Sequence, residues 1–554
     1  MTAIAAPASS RVPRRSAGLT GVGATVWPVA GIVLVLSMQL SMVFTRAVNW
    51  DEFWFYYHVA DFARGNLAQP LQSLHVRLFA WLPAVTGSSV DAIITARTVM
   101  LVCEAATVSA IYLSARMFAS RPVSALSALL YVSAGFVFQH GFSFRTDPMV
   151  TALLMSGIAI ALRAPLRLPY TLAIGTLLAV ATMISIKSVL YAPAFLGIAW
   201  YRWSRAGRTF ASGLLLASIP AAAACIFAAL YALHARDVTG AATGSAMAAG
   251  ASRWMFTLGL PPYWQMGLKA ITTAPLLFLL AVAAPFAIVR SNRERSEKWA
   301  LAGLWLPLLL PFVYVNTAAY FYAFMLAPVC IAITAPLQHA VARYSARMLA
   351  IAATLLATGI FLMEDREIID RQRELTAQVE SLVPAGTAYF DHNGMVASLS
   401  KANWLVTPAG LAAYRQEGRP VYREAMEAQV VPIFLANDIV FDNLLAGDTR
   451  HFLPADAEVL TGHYLPFWGP IRIAGFALER DEQREAEVLV PGTYTVSGGP
   501  IAINGVTHEP ASTVTLQRGM ATLEAGEEAA RLQWGDGLTP PAQKWDGGPL
   551  YVGF

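Results

Sequence analysis

The stretch "NWDEFWFYYHVADFARG", residues 49–65, places two adjacent carboxylates, Asp51 and Glu52, directly after a long apolar run. Aromatic residues and His58 follow at once, so the pair lies where a hydrophobic segment gives way to a polar one. Charged side chains at a lipid boundary lose hydration, and they are usually kept there for a partner or a function. The alternative is that the pair marks a helix end in water and caps the next helix.

The composition of the whole chain predicts a membrane protein. Of its 554 residues, 56% are hydrophobic and only 13% are charged, and the mean hydropathy is +0.51. Soluble domains carry about 25% charged residues, whereas a bilayer core about 30 Å thick requires helices of roughly 20 apolar residues. The sequence therefore predicts a polytopic α-helical membrane protein. Its three cysteines all lie within apolar runs and show no metal-type spacing.

Apolar runs along the first two thirds of the chain predict about eleven transmembrane helices. The predicted spans are residues 26–46, 92–115, 122–140, 148–163, 169–186, 188–202, 209–233, 267–289, 299–315, 319–338 and 345–363. The first run is longer than the roughly 7 to 15 apolar residues of a secretory signal, so we expect an uncleaved helix. Residues 1–25 are basic and rich in small side chains, and we expect them to form a disordered cytoplasmic N-terminus.

Arginine and lysine recur in every second connection between these predicted helices, and this recurrence indicates their orientation. With the N-terminus inside, the basic connections hold Arg11, Arg14 and Arg15, Arg116 and Arg121, Arg163 and Arg167, Arg202, Arg205 and Arg208, residues 290–298, and Arg343 and Arg347. The acidic pair, Asp147 and everything after residue 363 then lie on the opposite face. We therefore expect a multi-pass protein of the inner (cytoplasmic) membrane whose unusual residues face the periplasm.

The composition changes after residue 363, and the rest of the chain predicts a separate extracytoplasmic domain. Residues 363–382 predict a polar helix that leaves the membrane, and residues 486–505 and 512–526 alternate apolar and polar side chains between Gly and Pro turns. Alternation with period two is typical of strands. The predicted organisation is therefore an N-terminal segment at 1–25, a transmembrane domain at 26–363, and a periplasmic α/β or mainly β domain at 364–554.

The segment from Asp51 to Pro83 is too polar to cross the bilayer and too aromatic for an ordinary loop. We expect juxtamembrane helices that lie in the interface and cover a cavity above the acidic pair. Asp147, in "FRTDP" (144–148), begins the predicted fourth span on the same face, where it can also cap that helix before Pro148. The sequence thus predicts that two acidic sites on short outer connections converge over the bundle.

Several of these features together resemble the GT-C glycosyltransferases, in the branch that contains the protein O-mannosyltransferases and the lipid A aminoarabinose transferase. They are a long first helix ending in an acidic pair, an acid in the next outer connection, and an outward C-terminal domain. The resemblance covers roughly residues 25–340. It is carried by "NWDEFWFYYHVADFARG" (49–65), "ARTVMLVCEAATVSAIYLSARMF" (96–118), "FRTDPMVTALL" (144–154), "ISIKSVLYAPAFL" (184–196) and, more loosely, "NTAAYFYAFMLAPVCIAI" (316–333).

The resemblance implies an inverting glycosyltransferase, which moves a sugar from a polyprenyl-phosphate donor to a glycan, lipid or protein acceptor at the outer membrane face. Asp51 would then be the general base. Glu52 would be a second, orienting carboxylate, or would help to position donor or metal, and Asp147 would contact the acceptor, the base or a cation. The acceptor cleft would be lined by further polar side chains: Arg145, Tyr57 and His58. For His58, which could bind acceptor or metal, a surface or interfacial histidine is the favoured alternative. Whether a divalent cation, Mg²⁺ or Mn²⁺, takes part in the reaction stays open.

Cations near the outer surface are needed to stabilise the leaving phosphate. Lys187 is the first candidate, in "IKS" where the family has threonine-lysine-glycine, and the alternative is a snorkelling lysine at a helix end. The other phosphate candidates are two basic residues beside an amphipathic outer loop and two tyrosines of one segment: Arg253, Lys269, Tyr320 and Tyr322. That segment, "NTAAYFYAF" (316–324), lacks the basic residue that relatives often carry, and an interfacial aromatic belt is the favoured explanation for its tyrosines.

Two other classes of function stay open. A transporter or flippase for a lipid-linked glycan would show charges in mid-span, broken helices and repeats, whereas most ionisable residues here lie at span ends. A non-catalytic envelope assembly protein would tolerate loss of the acidic residues.

Arg97 and Glu104 lie on one face of the second span, where mutual pairing or packing explains them as well as catalysis does. The sequence has no Walker loop, dinucleotide fingerprint or zinc motif, so neither nucleotide sugars nor nucleic acids are expected as ligands.

Overall fold

The computed structural model describes residues 23–67, 73–238, 256, 258–261, 263–403 and 406–552. An α-helical bundle forms the first two thirds of the chain, and a domain that contains all the described sheets follows it. Most of the predicted N-terminal segment (1–22) and Arg253 lie outside the described residues.

The helices of the bundle follow the apolar segments of the sequence. They are α1 (Gly23–Thr45), α2 (Trp50–Ala63), α3 (Leu74–Leu78), α4 (Leu82–Val85), α5 (Ser89–Ala115), α6 (Arg121–Val132), α7 (Gly135–His140), α8 (Thr146–Arg163), α9 (Leu168–Ile184), α10 (Ala192–Arg205), α11 (Phe210–Ala235), α12 (Trp264–Thr273), α13 (Pro275–Arg290), α14 (Arg295–Trp305), α15 (Phe321–Ala332), α16 (Thr334–Tyr344) and α17 (Ala346–Leu362). Two 3-10 segments, Ile186–Tyr191 and Leu306–Phe312, connect neighbouring helices. Side-chain caps define some of the starts, since Ser88 accepts the Asp91 N–H and Thr209 accepts the Ser212 N–H.

Several of these helices have the length and composition of membrane spans. Within the described ranges, four single helices are long and apolar enough to cross a bilayer: α1, α5, α8 and α11. Two bent pairs, α12 with α13 (105°) and α15 with α16 (69°), raise that number to six when each pair counts as one span. Every predicted span coincides with a helical segment. However, α9 and α17 have only 17 residues each, so the count of eleven is not confirmed.

The predicted cytoplasmic connections meet at one end of the bundle. Arg202, at the end of α10, donates to the carbonyls of Leu162 and Ala164 at the end of α8 (3.0 and 2.5 Å). Arg293, in the turn after α13, donates to the Phe118 carbonyl after α5 (2.8 Å). These basic turns are therefore neighbours in space. This is expected when successive helices run in opposite directions, because every second connection then lies at the same end of the bundle.

At the other end of the bundle, the acidic pair begins a new helix. Asn49 is the N-cap of α2, and its side chain accepts the Asp51 N–H at 3.1 Å. Glu52 accepts the Asn49 N–H at 2.9 Å, which completes a capping box. The helix-capping alternative for the pair therefore holds for Glu52.

The C-terminal domain combines helices with antiparallel and short parallel strands. Its elements are α18 (Ile368–Leu382), β1 (Ala388–Phe390), β2 (Ser400–Lys401), α19 (Pro408–Glu417), α20 (Val421–Ala428), β3 (Ile433–Leu435), α21 (Ile439–Leu445), α22 (Pro454–Gly462), β4 (Tyr464–Trp468), β5 (Ile471–Leu478), β6 (Gln483–Val488), β7 (Gly492–Gly498), β8 (Ile501–Ile503), β9 (Val506–His508), β10 (Thr513–Leu516), β11 (Gly519–Ala525) and β12 (Ala530–Trp534). One sheet has the order β10-β7-β12-β5-β3-β1-β2, with β4 also paired to β5, and a second has the order β6-β11-β8-β9. Among the described strands, only the β1–β2 and β1–β3 pairs are parallel. The strands that the sequence predicts in the C-terminal part of the chain are confirmed.

This domain packs on the start of α2, where the acidic pair lies. The Asn393 side chain donates to the Trp50 carbonyl at 2.8 Å, and Tyr57 Oη accepts the Lys401 N–H at 3.1 Å. Gly394 has φ +76°, and a Cβ there would lie 2.7 Å from the Tyr57 ring. The interface therefore requires glycine at this position, and it fixes the C-terminal domain above the acidic pair.

Candidate active site

A cavity of about 1060 Å³ opens between the bundle and the C-terminal domain. The bundle contributes the first turn of α2, the start of α8, the end of α9 and residues 315–320. The C-terminal domain contributes one face of α19, through Pro408, Ala413, Gln416 and Glu417. A cavity is therefore present beside the acidic pair. Of the juxtamembrane helices that were expected to cover it, only α2 lines it, and helix α19 covers part of it instead.

Four charged side chains form a continuous chain at this cavity. Arg145 Nη1 binds Asp51 Oδ2, and Arg145 Nε lies 3.4 Å from Asp147 Oδ2. Lys187 Nζ donates to the other oxygen of Asp147 at 2.8 Å. Asp51, Arg145 and Lys187 line the cavity, whereas Asp147 lies buried behind the two cations. The two negative and two positive groups compensate one another, which allows the cluster to stay charged with little water.

An aromatic ring supports the two cations. The guanidinium of Arg145 lies 3.3 Å from the centroid of the Tyr320 ring, and Lys187 Nζ lies 5.6 Å from it. The hydroxyl of Tyr320 donates to Asn316 Oδ1 at 2.9 Å. Cations over an aromatic face are stabilised electrostatically, and more so where water is excluded. Tyr320 therefore acts as a platform that holds both positive groups at the cavity.

Glu52 lies outside the cavity and forms a buried ion pair. Its side chain and that of Arg97 are each 1% exposed, with Arg97 Nη2 at 2.5 Å and Nε at 2.8 Å from the two carboxylate oxygens. The Phe144 N–H, one residue before Arg145, also donates to Glu52 Oε1 at 2.7 Å. Glu52 thus connects the start of α2, which carries Asp51, to the segment that carries Arg145.

Arg97 and Glu104 have different partners, so mutual pairing, one of the alternatives that the sequence left open for them, is wrong. Besides Glu52, Arg97 binds the carbonyls of Arg46 and Ala47 at the end of α1 (2.8 and 2.9 Å). Glu104 instead accepts two hydrogen bonds from Gln39, both at 3.1 Å. Nothing local in the sequence indicates these partners, because Arg97 and Glu52 are 45 residues apart.

Two of the predicted phosphate contacts lie beside the cavity rather than in it. Lys269 Nζ is 5.9 Å from the centroid of the Phe136 ring, and the Tyr322 ring packs on the same phenylalanine at 5.2 Å. Neither side chain lines the charged cavity, whereas Tyr320 does.

Two of the predicted acceptor contacts also have other surroundings. His58 packs against Trp54 with a ring-centroid distance of 4.3 Å, and Tyr57 contacts the C-terminal domain through Lys401 and Gly394. Only Arg145 of the three predicted cleft residues lines the cavity.

An apolar groove of about 650 Å³ adjoins the charged cavity, and Tyr263 lines both. Its walls come from α12, α13, the end of α14, the 3-10 segment Leu306–Phe312 and α15. They include large apolar side chains: Trp264, Leu268, Phe278, Phe286, Trp305 and Phe312. Several of these, such as Trp264 and Phe286, are more than half exposed. A groove of this kind, on helices that the sequence assigns to the membrane, suits an acyl or prenyl chain.

Solved structures that match most of this chain show its fold. The ArnT protein of Cupriavidus metallidurans bound to undecaprenyl phosphate matches with a TM-score of 0.55 and 12% identity, over 77% of this chain and 95% of that one. The oligosaccharyltransferase of Archaeoglobus fulgidus in complex with Zn and sulfate matches with a TM-score of 0.52 and 12% identity, over 90% of this chain and 94% of that one. The chain has the GT-C fold. No protein-family model matches the sequence, and no curated protein matches it.

The GT-C fold confirms the resemblance that the acidic pair and its surroundings suggested. Matches at 12% identity establish the architecture, and the roles of individual side chains are argued from their own geometry. The structure of ArnT from the same organism in the apo state matches with a TM-score of 0.52, again over 77% of this chain and 95% of that one. The similarity therefore extends through the bundle and into the C-terminal domain.

The carboxylates of the site have basic partners in the arrangement described, and a divalent cation stays a prediction of the sequence. No group of three or more His, Cys, Asp or Glu side chains is placed to hold a metal ion within the described ranges. The cavity carboxylates have basic partners instead, since Asp51 binds Arg145 and Asp147 binds both Arg145 and Lys187. Arg145 and Lys187 thus supply positive charge at the cavity.

Proposed function

We propose that the protein is an inverting glycosyltransferase that transfers a sugar from a polyprenyl-phosphate donor to an acceptor in the cell envelope. The observation that carries this proposal is one cavity in which a carboxylate, Asp51, lies near two cations, Arg145 and Lys187, beside an apolar groove. A base, a phosphate-binding group and a lipid-sized groove are the three parts that such a transfer requires.

The acceptor would be activated by Asp51. A carboxylate within hydrogen-bond reach of an acceptor hydroxyl takes its proton as the oxygen attacks the anomeric carbon. The bond between that carbon and the phosphate oxygen breaks on the opposite side, which inverts the configuration. Arg145 and the buried Glu52–Arg97 pair hold Asp51 in position, because they join the first turn of α2 to residues 144–147.

The leaving polyprenyl phosphate would be stabilised by the cations of the cavity. Negative charge develops on the phosphate oxygens as the glycosidic bond breaks, and preorganised cations lower the free energy of that transition state. Lys187 and Arg145 are both held on the Tyr320 ring, so they are oriented before substrate arrives. The groove that shares Tyr263 with the cavity would take the first prenyl units of the donor.

The catalytic cavity would face the periplasm from the inner membrane. The basic connections gather at the opposite end of the bundle, where Arg202 and Arg293 lie, and basic connections are typically cytoplasmic. This orientation would give the cavity access to envelope acceptors and to flipped lipid-linked donors.

The decisive experiment measures sugar transfer by the full-length protein in lipid nanodiscs, with undecaprenyl-phosphate-linked sugars from envelope extracts as donors. Release of undecaprenyl phosphate is followed for the wild type, Asp51→Asn and Asp61→Asn. Asp61 is on the same helix but pairs with Arg64 away from the cavity. We expect a loss of about 100-fold to 10,000-fold for Asp51→Asn and wild-type turnover for Asp61→Asn. Equal turnover in the two variants would remove Asp51 as the base.

A further inference from the structure

A second cavity, of about 630 Å³, lies next to the charged one. Trp50, Thr407 and Pro408 line both cavities. Because Trp50 directly precedes Asp51, a ligand in the second cavity would end close to the general base. The volume falls in the range of roughly 300 to 1000 Å³ that is usual for small-ligand sites.

Aromatic side chains form part of the wall of this second cavity. The His392 ring lies between Trp50 and Tyr551, with centroid distances of 5.6 and 5.9 Å. The Tyr551 hydroxyl is fixed by two amides, since it accepts from Asn437 and donates to Asn393 (3.1 Å each). These rings therefore present fixed apolar surfaces at little cost in side-chain entropy.

The rest of the wall combines apolar side chains, such as Val406, Leu411 and Ile439, with a smaller number of polar ones. His392 Nδ1 is buried and has no hydrogen-bond partner among the described residues, and the nearest carboxylate oxygen, Asp438 Oδ2, lies 3.8 Å away. Burial lowers the pKa of His392, against the opposing effect of Asp438, so the neutral ring can donate one hydrogen bond and accept another. Arg415 and His451 also line the cavity.

We propose that this second cavity binds the sugar chain of a glycan acceptor, whose terminal residue passes Trp50 and reaches Asp51. The inference rests on the proposed function and names its acceptor class. A pyranose or furanose presents apolar C–H faces and a rim of hydroxyl groups that both donate and accept. The cavity offers the matching set: aromatic faces from Trp50 and Tyr551, and planar polar groups from His392, Asp438 and Arg415.

The alternative of a peptide acceptor is less consistent with the wall of the cavity. Extended peptides commonly bind by adding a strand to the exposed edge of a sheet. The residues that line this cavity come from α2, α19, α21 and connecting segments, and none of them belongs to a strand. Side-chain recognition of a ring with hydroxyl groups therefore explains the wall better than backbone pairing does.

The experiment measures binding to the full-length protein in nanodiscs. The probes are fluorescently labelled tetrasaccharides of mannose, glucose, galactose, arabinose or N-acetylglucosamine, and a Ser/Thr-rich octapeptide. We expect at least one tetrasaccharide to bind, and Arg415→Ala and Asp438→Asn each to weaken its binding ten-fold or more. Asp438 caps α21 through the Val440 N–H, and asparagine caps equally well, so that variant keeps the fold.

Arg419→Ala is the matched control. Arg419 lies four residues after Arg415, beyond the end of α19, and is 61% exposed. It pairs with Glu417 and Glu424 and does not line the second cavity, so its loss should leave tetrasaccharide binding unchanged. Failure of every tetrasaccharide to bind, equal effects of Arg415→Ala and Arg419→Ala, or preference for the octapeptide would overturn the inference. Release of undecaprenyl phosphate by the wild type is measured in parallel. If that release occurs without any glycan binding, only the inference fails; if it is absent, the proposed function itself fails.

Discussion

Asp51 and Asp147 bind the same guanidinium group, that of Arg145, although they belong to two different helices. The shared cation explains how two acids can lie close together at a membrane boundary without repelling each other. It also leaves Lys187, the second partner of Asp147, at the edge of the cavity. Asp51, the proposed base, and Lys187, the proposed phosphate-binding group, are thus the two ends of one chain of ion pairs.

Substitution of Arg145 should separate activity from stability. Arg145→Lys keeps a positive charge but loses the planar fork that reaches both carboxylates. We expect kcat to fall about 100-fold, as on removal of one preorganised stabilising group, while the thermal unfolding midpoint in detergent falls only slightly. Arg145→Gln, which leaves two buried carboxylates without their shared cation, should lower both quantities. A normal kcat in Arg145→Lys would show that the fork does not hold the base.

The Glu52–Arg97 pair should be required mainly for structure. Removing one member of a buried ion pair costs about 3–5 kcal/mol because the other charge is left unpaired. We expect Glu52→Gln to lower the free energy of unfolding by that amount, with loss of transfer in the same preparations. The double variant Glu52→Gln/Arg97→Met should recover part of the stability, as a double-mutant cycle would measure. Strict additivity of the two single effects would contradict direct pairing.

Lys187 should contribute to donor binding more than to acceptor binding. A charged hydrogen bond to phosphate is worth about 1.5–3 kcal/mol, so Lys187→Ala should weaken undecaprenyl phosphate binding about ten-fold or more. Lys269→Ala is the matched control, since Lys269 lies against Phe136 beside the cavity. Calorimetry with undecaprenyl phosphate distinguishes the two variants. Similar affinities would place the phosphate elsewhere.

Much of the architecture could be predicted from the sequence. Apolar runs and basic turns predicted where the helices lie, because hydropathy and charge are read residue by residue. The convergence of Asp51 with Asp147 could also be predicted, since both occur on short connections at one end of the bundle. Lys187 was placed at the same end for the same reason, and it does line the cavity.

The contacts between distant segments could not be predicted. The adjacency of Asp51 and Glu52 in the sequence predicts that both act in one site. However, successive residues of a helix point in directions about 100° apart. Asp51 therefore faces the cavity while Glu52 faces Arg97 in the interior. The role of Arg145 as the common partner of two acids likewise depends on how α2 packs beside α8. The second cavity depends on α19, a helix whose sequence carries no recognisable functional motif.

The stability of the juxtamembrane helices should depend on pH through His75. This residue, in the short helix α3, is 5% exposed, and neither ring nitrogen has a hydrogen-bond partner among the described residues. Burial, followed by the nearby His58 and His234, lowers the pKa of His75 to about 3. The unfolded chain, with a histidine pKa of about 6.5, binds the proton more readily than the folded protein between these two values. Stability from the neutral ring is therefore complete above about pH 6.5 and is lost progressively as the pH falls toward 3.

His75→Phe should remove this part of the pH dependence. Phenylalanine keeps an aromatic ring in contact with Phe55, which packs edge-on against His75 at 5.4 Å, but it cannot be protonated. We expect the thermal unfolding midpoint of the wild type to fall between pH 7 and 4, and that of His75→Phe to fall less. His339→Phe serves as the control, because His339 lies at the other end of the bundle on α16 and should leave the wild-type profile unchanged. Parallel profiles for the wild type and His75→Phe would show that the His75 ring does not become protonated as the protein unfolds.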